Sequence, residues 1–407
     1  MHRRLDLAII IALATITNLT YFAFSNDYFY PDSFTYLAPA KMLLSGHGFA
    51  TRPGVAETMR TPGYPLLLAA FGARVVPVIV LQHILNVLLA VAIYLLVMRR
   101  LGSRFAAMAA AIVFAIDMPT IHYANKLLSE TTFTALLFVA FVLAIDVRRP
   151  LLLGILCGVL VLARPVAIAW FAAMALAFAL LRRPRRVIAL FVAAALVLPL
   201  AWGVRNGVES GVFTVSSVAG ANLLLYRAAG ALAMTGDGDF PNVLAEEQKE
   251  TVEEADDEIQ TALHIADAQD LPHAVRTAWY AKIARRIILQ HPFALALLTL
   301  RGTMVNLFES DWEALMMVSR LESTTIRLLL DALAVATIVF AAIGTIALWR
   351  RDRTMAMLIA ATVGYFILIS AGGEAEARFR VPVVPQIAIA AAFGLDAVRR
   401  AAAPAPR

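Results

Sequence analysis

Long uncharged apolar stretches alternate with short polar segments along most of the chain. A bilayer crossing needs roughly 20 mostly apolar residues in a helix, and the stretches approach or exceed this length. Two of them, residues 151–164 and 166–181, are short, and we interpret them as half-length helices that meet near Arg164-Pro165. The predicted spans are residues 6–24, 75–98, 105–122, 129–146, 151–164, 166–181, 187–204, 325–349, 354–372 and 381–398.

This pattern predicts an all-α polytopic membrane protein of about ten spans, with two long segments outside the membrane. We divide it into an N-terminal transmembrane core (1–204, with a first loop at 25–74), an external helical segment (205–324), C-terminal transmembrane helices (325–398) and a tail (399–407). Short helices are expected at Phe34–Leu44 and after Pro62-Gly63-Tyr64-Pro65. The apolar run Phe293–Leu300 is too short to span and is placed at the membrane surface.

The positive charges indicate how the chain is oriented. The sequence is 61% hydrophobic and 16% charged, and its net charge is +6. Arginine clusters follow every second span, which is the positive-inside pattern, so we place both termini in the cytoplasm and the two long segments outside. Because the clusters are short and lie between apolar stretches, we exclude nucleic acid as a partner. The clusters are Arg99-Arg100, Arg148-Arg149, Arg182 to Arg186, Arg350-Arg351 and Arg399-Arg400.

Two carboxylates, Asp27 and Asp32, lie just after the first span. An acid at the mouth of a membrane cavity suits a general base that deprotonates a hydroxyl or amine. The alternative for Asp32 is a helix N-cap, since Pro31-Asp32-Ser33 precedes an apolar-periodic run.

Several arginines lie near membrane edges on the predicted external side. Arginine inside a membrane is costly, roughly 2.5–3.5 kcal/mol at a helix centre, so it has a partner or a function. The planar guanidinium suits phosphate, and the set therefore fits a lipid phosphate. Alternatively, these residues pair with Glu130, Glu374 or Glu376, or reach lipid headgroups. The set comprises Arg60, Arg164, Arg205, Arg378 and Arg380.

Metal and nucleotide chemistry have little support in the sequence. His47 and His122 are single histidines without a second ligand at metal spacing, and we interpret them as structural or surface residues. No nucleotide-binding motif is visible. We therefore predict no metal site and no cofactor, and leave dependence on a divalent metal open.

The first loop carries a family resemblance. PDSFTYLAPAKMLLSGHGF followed by RTPGYP resembles the first external loop of bacterial GT-C glycosyltransferases, in particular the superfamily of protein O-mannosyltransferases and lipid A aminoarabinose transferases. Further segments are similar in the same order: ANKLLSETTFTALL, GVLVLARPVAI, GVRNGVESGVFTVSSVAGANLLLY and EARFRVPVVPQIAIAAAFGL.

The resemblance implies a GT-C-like bundle that transfers a hexosyl or pentosyl group from a polyprenyl-phosphate-linked donor, with inversion. The family's catalytic acid falls on Asp32, and the basic residue that holds the lipid phosphate falls on Arg60. Arg378 and Arg380 match the basic-aromatic-basic segment before the last span. Family members often have a second acid where Ser33 stands here, and Lys-Pro-Pro where this chain has Arg60-Thr61-Pro62. A shared base role for Asp27 or Glu57 therefore stays open.

The leading hypothesis is a glycosyltransferase of the bacterial inner (plasma) membrane, with its active site facing the periplasm or exterior. Its acceptor is a glycan, a lipid or a protein, and Tyr36, Tyr64, Glu130 and Asn206 are expected to line the acceptor site or cavity. The alternative is a transporter or flippase for lipids or lipid-linked sugars, although the two halves show no repeat of the kind common in transporters. A non-catalytic scaffold would leave Asp32 and the arginines unexplained.

Overall fold

The computed structural model describes residues 2–319 and 323–402, which are almost entirely helical. The predicted all-α fold class is confirmed. Residues 403–407 of the predicted tail and residues 320–322 of the predicted external segment lie outside the described residues.

The first half of the chain supplies the bundle core and the loop after the first helix. Its elements are α1 (His2–Phe24), α2 (Pro31–Leu44), β1 (Ala50–Arg52), β2 (Val55–Ala56), α3 (Gly63–Ala70), α4 (Val75–Leu101), α5 (Arg104–Ala115), α6 (Met118–Ala124), α7 (Glu130–Asp146), α8 (Pro150–Ala163), a 3-10 turn (Pro165–Ala169), α9 (Trp170–Leu180) and α10 (Arg185–Ser210). The strands β1 and β2 form an antiparallel hairpin that the sequence pattern did not predict.

The second half contains the helical segment and the last three long helices. Its elements are α11 (Val218–Asn222), a π-helical turn (Leu223–Ala228), α12 (Ala229–Ala233), α13 (Phe240–Leu263), a 3-10 turn (Ala268–Asp270), α14 (His273–Gln290), α15 (Pro292–Phe308), α16 (Trp312–Ser319), α17 (Thr324–Arg351), α18 (Arg353–Ile369), a 3-10 segment (Ala377–Val383) and α19 (Val384–Ala402).

Five helices of the described chain are long and apolar enough to cross a membrane: α1, α4, α10, α17 and the continuous stretch Ala377–Ala402. Two bent pairs raise this number to at most seven, and shorter apolar helices such as α8 and α18 accompany them. The predicted break at Arg164-Pro165 is confirmed, because α8 ends at Ala163. The count of about ten spans stays a prediction.

Two predicted elements differ from the structure. The span predicted at 105–122 is not continuous, because α5 and α6 meet at a 51° bend. Asp117 caps α6 by accepting from the Thr120 N–H at 3.0 Å, and Pro119 in the first turn favours a new helix start there. The surface run predicted at 293–300 is part of the longer helix α15, which bends by 101° from α14.

Close packing of small residues holds the last helices together. A Cβ added to Gly344 of α17 would lie 1.8 Å from the carbonyl oxygen of Ala390 in α19, so the two helices touch through their backbones. Such small-residue contacts are typical of membrane helices. Helices surrounded by lipid gain little from the hydrophobic effect when they associate, so close backbone packing matters more.

The arginine clusters gather at one end of the bundle. Arg100 at the end of α4 pairs with Asp352 at 2.6 Å and with Asp146 at 3.2 Å, joining α4, α7 and the start of α18. At the same end, Asp6 of α1 accepts from Arg104 at 2.6 Å. The first loop and Arg378 lie at the opposite end. That the arginine end faces the cytoplasm stays a prediction.

Candidate active site

The start of α2 sets the direction of the Asp32 side chain. Tyr30 occupies the N-cap position, and the Ser33 hydroxyl accepts the Tyr30 N–H at 2.9 Å. Asp32 lies inside the first turn and its carboxylate does not cap the helix. The N-cap interpretation of Asp32 is therefore wrong, and its carboxylate is available for other contacts.

Asp32 lies between two arginines. Its Oδ1 accepts from Arg60 Nη2 at 2.6 Å, and its Oδ2 accepts from Arg378 Nη2 at 2.9 Å. About a third of the Asp32 side chain is exposed, whereas Arg378 is almost fully buried. Burial by itself raises the pKa of Asp32, but the two guanidinium groups outweigh burial and hold this pKa at about 2.

A second carboxylate lies behind this pair. Glu130, at the start of α7, is completely buried and accepts from Arg378 Nε. Arg164, at the break after α8, places Nη1 2.6 Å from the same Glu130 oxygen. We call Arg60, Asp32, Arg378, Glu130 and Arg164 the charge chain. Its three guanidinium groups face two carboxylates, and a third carboxylate, Glu376, lies 3.8 Å from Arg378 Nη1 at the edge of the chain.

Local contacts fix Arg60 in this position. Its Nε donates to the Thr35 hydroxyl at 2.8 Å, and its guanidinium lies 4.5 Å from the centre of the Tyr36 ring. Tyr36 packs edge-on against Tyr64 at 5.1 Å, and Tyr64 donates to Gln82 at 2.9 Å. The predicted cavity residues Tyr36 and Tyr64 thus form a wall beneath Arg60.

Close backbone contact brings α3 beside Arg164. A Cβ added to Gly63 would lie 2.7 Å from both the Leu162 oxygen and the Ala163 Cα at the end of α8. The glycine in the RTPGYP segment therefore lets α3 pack directly against the end of α8, which precedes Arg164.

Glu57 and Arg205 contact the backbone of the first loop and do not belong to the charge chain. Glu57 is buried and accepts the N–H groups of Met59 and Arg60 at 2.5 and 2.9 Å. Burial raises the pKa of Glu57 and outweighs these two donors, which lower it. Arg205 Nη1 donates to the Glu57 backbone oxygen at 2.5 Å and to Asn206 Oδ1 at 2.9 Å. Glu57, Arg205 and Asn206 therefore hold the loop that presents Arg60.

Asp27 and Arg380 have other partners. Asp27 pairs with Lys126. Arg380 donates to the backbone oxygens of Asn306 and Leu307 at 3.2 and 2.6 Å, where α15 ends. The structure therefore brings Asp32, Arg60, Arg164, Arg378 and Glu130 together, and places Asp27 and Arg380 outside the charge chain.

Tyr30 is a site residue that sequence reasoning missed. Its ring centre lies 4.9 Å from the Arg378 guanidinium, and its hydroxyl donates to Glu376 at 3.0 Å. Burial raises the pKa of Glu376, although Arg378 nearby opposes this. In the sequence, the one feature that could have identified Tyr30 as a site residue is its position two residues before Asp32.

The arrangement offers a base and an anion site side by side. Asp32 is the most exposed acid of the charge chain, and Arg60 and Arg378 are its two donors. In the described part of the chain, no group of three His, Cys, Asp or Glu side chains is placed to hold a metal ion.

Comparison with known proteins identifies the architecture. No family model and no curated protein matches the sequence. The structure is similar to the crystal structure of an Archaeoglobus fulgidus oligosaccharyltransferase tethered with an acceptor peptide that contains the NVT sequon, at 14% sequence identity and a TM-score of 0.50. The match covers 96% of this chain and 50% of that chain, so this chain spans half the length of that enzyme. At this identity the likeness concerns the fold alone: the chain is a helical membrane protein with a GT-C-like fold.

Proposed function

We propose that this protein is a membrane glycosyltransferase that transfers a sugar from a polyprenyl-phosphate-linked donor to an acceptor on the external face. The observation that carries the proposal is the Asp32 carboxylate held between Arg60 and Arg378 in a GT-C-like fold. The similar oligosaccharyltransferase was solved with an acceptor peptide, which supports transfer to an acceptor as the reaction class.

The donor phosphate would bind at the two guanidinium groups. Arg60 and Arg378 come from the first loop and the segment before α19, and both are largely buried. Two guanidinium groups side by side favour a phosphate there, because guanidinium groups bind phosphate oxygens in pairs. Glu130 and Arg164 hold Arg378 from behind and therefore act as positioning residues.

The transfer step requires one base and one stabilised leaving group. Asp32 accepts the proton from the acceptor hydroxyl or amine, whose oxygen or nitrogen attacks the anomeric carbon. The bond from that carbon to the phosphate oxygen breaks on the opposite face, so the configuration inverts and polyprenyl phosphate leaves. Arg60 and Arg378 neutralise the phosphate, which is electrostatic stabilisation by preorganised charge.

The low pKa of Asp32 fits this sequence of events. With both arginines on Asp32, the carboxylate is a weak base. A bound phosphate competes for the same guanidinium groups and adds a negative charge nearby. Both effects raise the pKa of Asp32, so the carboxylate becomes a stronger base only when the donor is in place.

The test compares Asp32→Asn with wild type in the purified full chain. A polyprenyl-phosphate sugar pool serves as donor, and transfer per folded molecule is measured together with thermal unfolding. Asparagine cannot accept the proton, so turnover should fall by about 10²- to 10⁴-fold while the donor still binds. Asp257→Asn, which removes an exposed acid of α13, is the matched control.

Wild-type transfer by Asp32→Asn would refute the base role. A protein that binds and moves the lipid across the membrane without transferring sugar would instead be a transporter or flippase.

A further inference from the structure

A water-accessible cavity of about 280 Å³ lies beside the charge chain. It is bounded by the segment after α1, by α6, by the connection from α15 to α16 and by the segment before α19. Five carboxylates and one lysine line it, which makes it strongly acidic. The carboxylates are Asp27, Glu309, Asp311, Glu313 and Glu376.

Most of this negative charge lacks a cationic partner. Lys126 pairs with Asp27, and among the described residues no arginine or lysine lies within ion-pair distance of Glu309, Asp311 or Glu313. His122, which is over nine-tenths buried, lines the cavity with an Nδ1 that makes no hydrogen bond. This Nδ1 lies 3.2 Å from Asp311 Oδ2, which is also buried without a hydrogen bond. Burial, together with the nearby acids Glu309 and Glu376, raises the pKa of Asp311 to about 8. Acids gathered around one cavity without an arginine or lysine partner among the described residues indicate a missing cationic ligand, which would restore the charge of Asp311.

The shape and lining favour an organic cation over a metal ion. The described acids and histidines include no set of three placed for a metal, and the cavity is far larger than one ion. Phe29, Tyr30 and Tyr123 also line it, and aromatic faces together with carboxylates suit an ammonium group.

We propose that this cavity binds an ammonium group of the acceptor. Glu376 belongs to the cavity and also lies 3.8 Å from Arg378 Nη1, so a single side chain separates the cavity from the partner of Asp32. An acceptor held there by its ammonium group has the rest of its molecule beside Asp32. This inference rests on the proposed glycosyl transfer, and it names the acceptor class: a molecule that carries an amine.

The experiment uses saturation-transfer NMR on the purified full chain in detergent, with glucosamine as the probe and its amine protonated. N-acetylglucosamine is the matched ligand, since acetylation removes the positive charge. Wild type should bind glucosamine more tightly than N-acetylglucosamine. Asp311→Asn and Glu313→Gln should each weaken glucosamine binding roughly tenfold or more, because each removes a charged partner. Glu254→Gln, which changes an exposed acid of α13, should leave binding unchanged.

Equal binding of the two sugars would overturn the inference. Tight, saturable binding of Mn²⁺ that the same substitutions abolish would also overturn it, since the cavity would then be a metal site. The sugar-transfer assay separates the two proposals. Transfer without selective glucosamine binding refutes the cavity proposal alone, and selective binding without transfer refutes the glycosyltransferase proposal while cation binding in the cavity stands.

Discussion

Asp32 and Arg378 are 346 positions apart in the chain, and their side chains meet at 2.9 Å. One lies in the first turn of the helix that follows α1, and the other lies in the segment that leads into α19. The candidate site therefore requires the first and last thirds of the chain to be packed together, and it cannot form within either part alone.

Replacing Arg60 with alanine should weaken donor binding while the protein still inserts. The substitution removes a charged hydrogen-bond donor worth about 1.5–3 kcal/mol, which corresponds to a loss of roughly ten- to a hundredfold. Binding of a polyprenyl phosphate to the purified protein measures it. Arg52→Ala, which removes an exposed arginine of the same loop, should bind the lipid as wild type does. Equal affinity in both variants would exclude Arg60 from the phosphate site.

Glu130→Gln should destabilise the fold strongly. The buried carboxylate is shared by Arg378 and Arg164. Neutralising it leaves Arg164 without an acidic partner among the described residues, and leaves Arg378 with Asp32 and the more distant Glu376. Breaking a buried pair costs about 3–5 kcal/mol. Glu258→Gln breaks the largely exposed pair with Arg286 and should cost at most about 1 kcal/mol. Unfolding in detergent measures both, and similar losses would contradict the buried role of Glu130.

The ion pairs of Asp32 should give a characteristic dependence of stability on pH. Its pKa falls from an ordinary value of 3.8 to about 2 on folding. A lowered pKa stabilises the folded state above the unfolded pKa, and this contribution is lost as the pH falls through the folded pKa. The difference in unfolding midpoint between wild type and Asp32→Asn should therefore be constant near neutral pH. It should disappear between about pH 4 and about pH 2. A difference that vanishes well above pH 4 would show that the arginines do not lower this pKa.

Gly63→Ala should disturb the site without touching a charged residue. The added methyl group overlaps the backbone of Leu162 and Ala163, and overpacking of this kind costs about 1–3 kcal/mol. Because α3 then moves away from α8, donor affinity should fall as well. The matched change is Gly364→Ala in α18, where an added Cβ meets nothing within 4 Å. Normal stability in the Gly63 variant would show that the two backbones are not in contact.

The sequence predicted the first loop better than it predicted the arginines. Hydropathy and the PGYP segment gave both short helices and the break at Arg164-Pro165. Arg378 and Arg380 match the family segment equally well, yet they lie in a 3-10 segment where neighbouring side chains diverge. One contacts Asp32 and the other contacts the end of α15. The order of residue types along the chain does not show in which direction each of these side chains points.

Other features depended on contacts between distant segments. The bend at Asp117 lies within a stretch that is apolar along most of its length. Hydropathy alone therefore suggests a single span there. The acidic cavity combines Asp27 with Asp311 and Glu376, both of which lie hundreds of positions later in the chain. Each residue alone resembles an ordinary loop acid, so only the packed structure groups them.

The ion pairs at the arginine end determine where the bundle can change shape. Arg100 ties α4 to α7 and α18, Asp6 ties α1 to Arg104 of α5, and Asp396 of α19 accepts from Ser103 at 2.9 Å. These links act as a fixed pivot that joins helices from the whole length of the chain. A motion that admits a long lipid therefore has to occur at the far end, where α2 and the segment before α19 meet, and it has to break the Asp32–Arg378 contact.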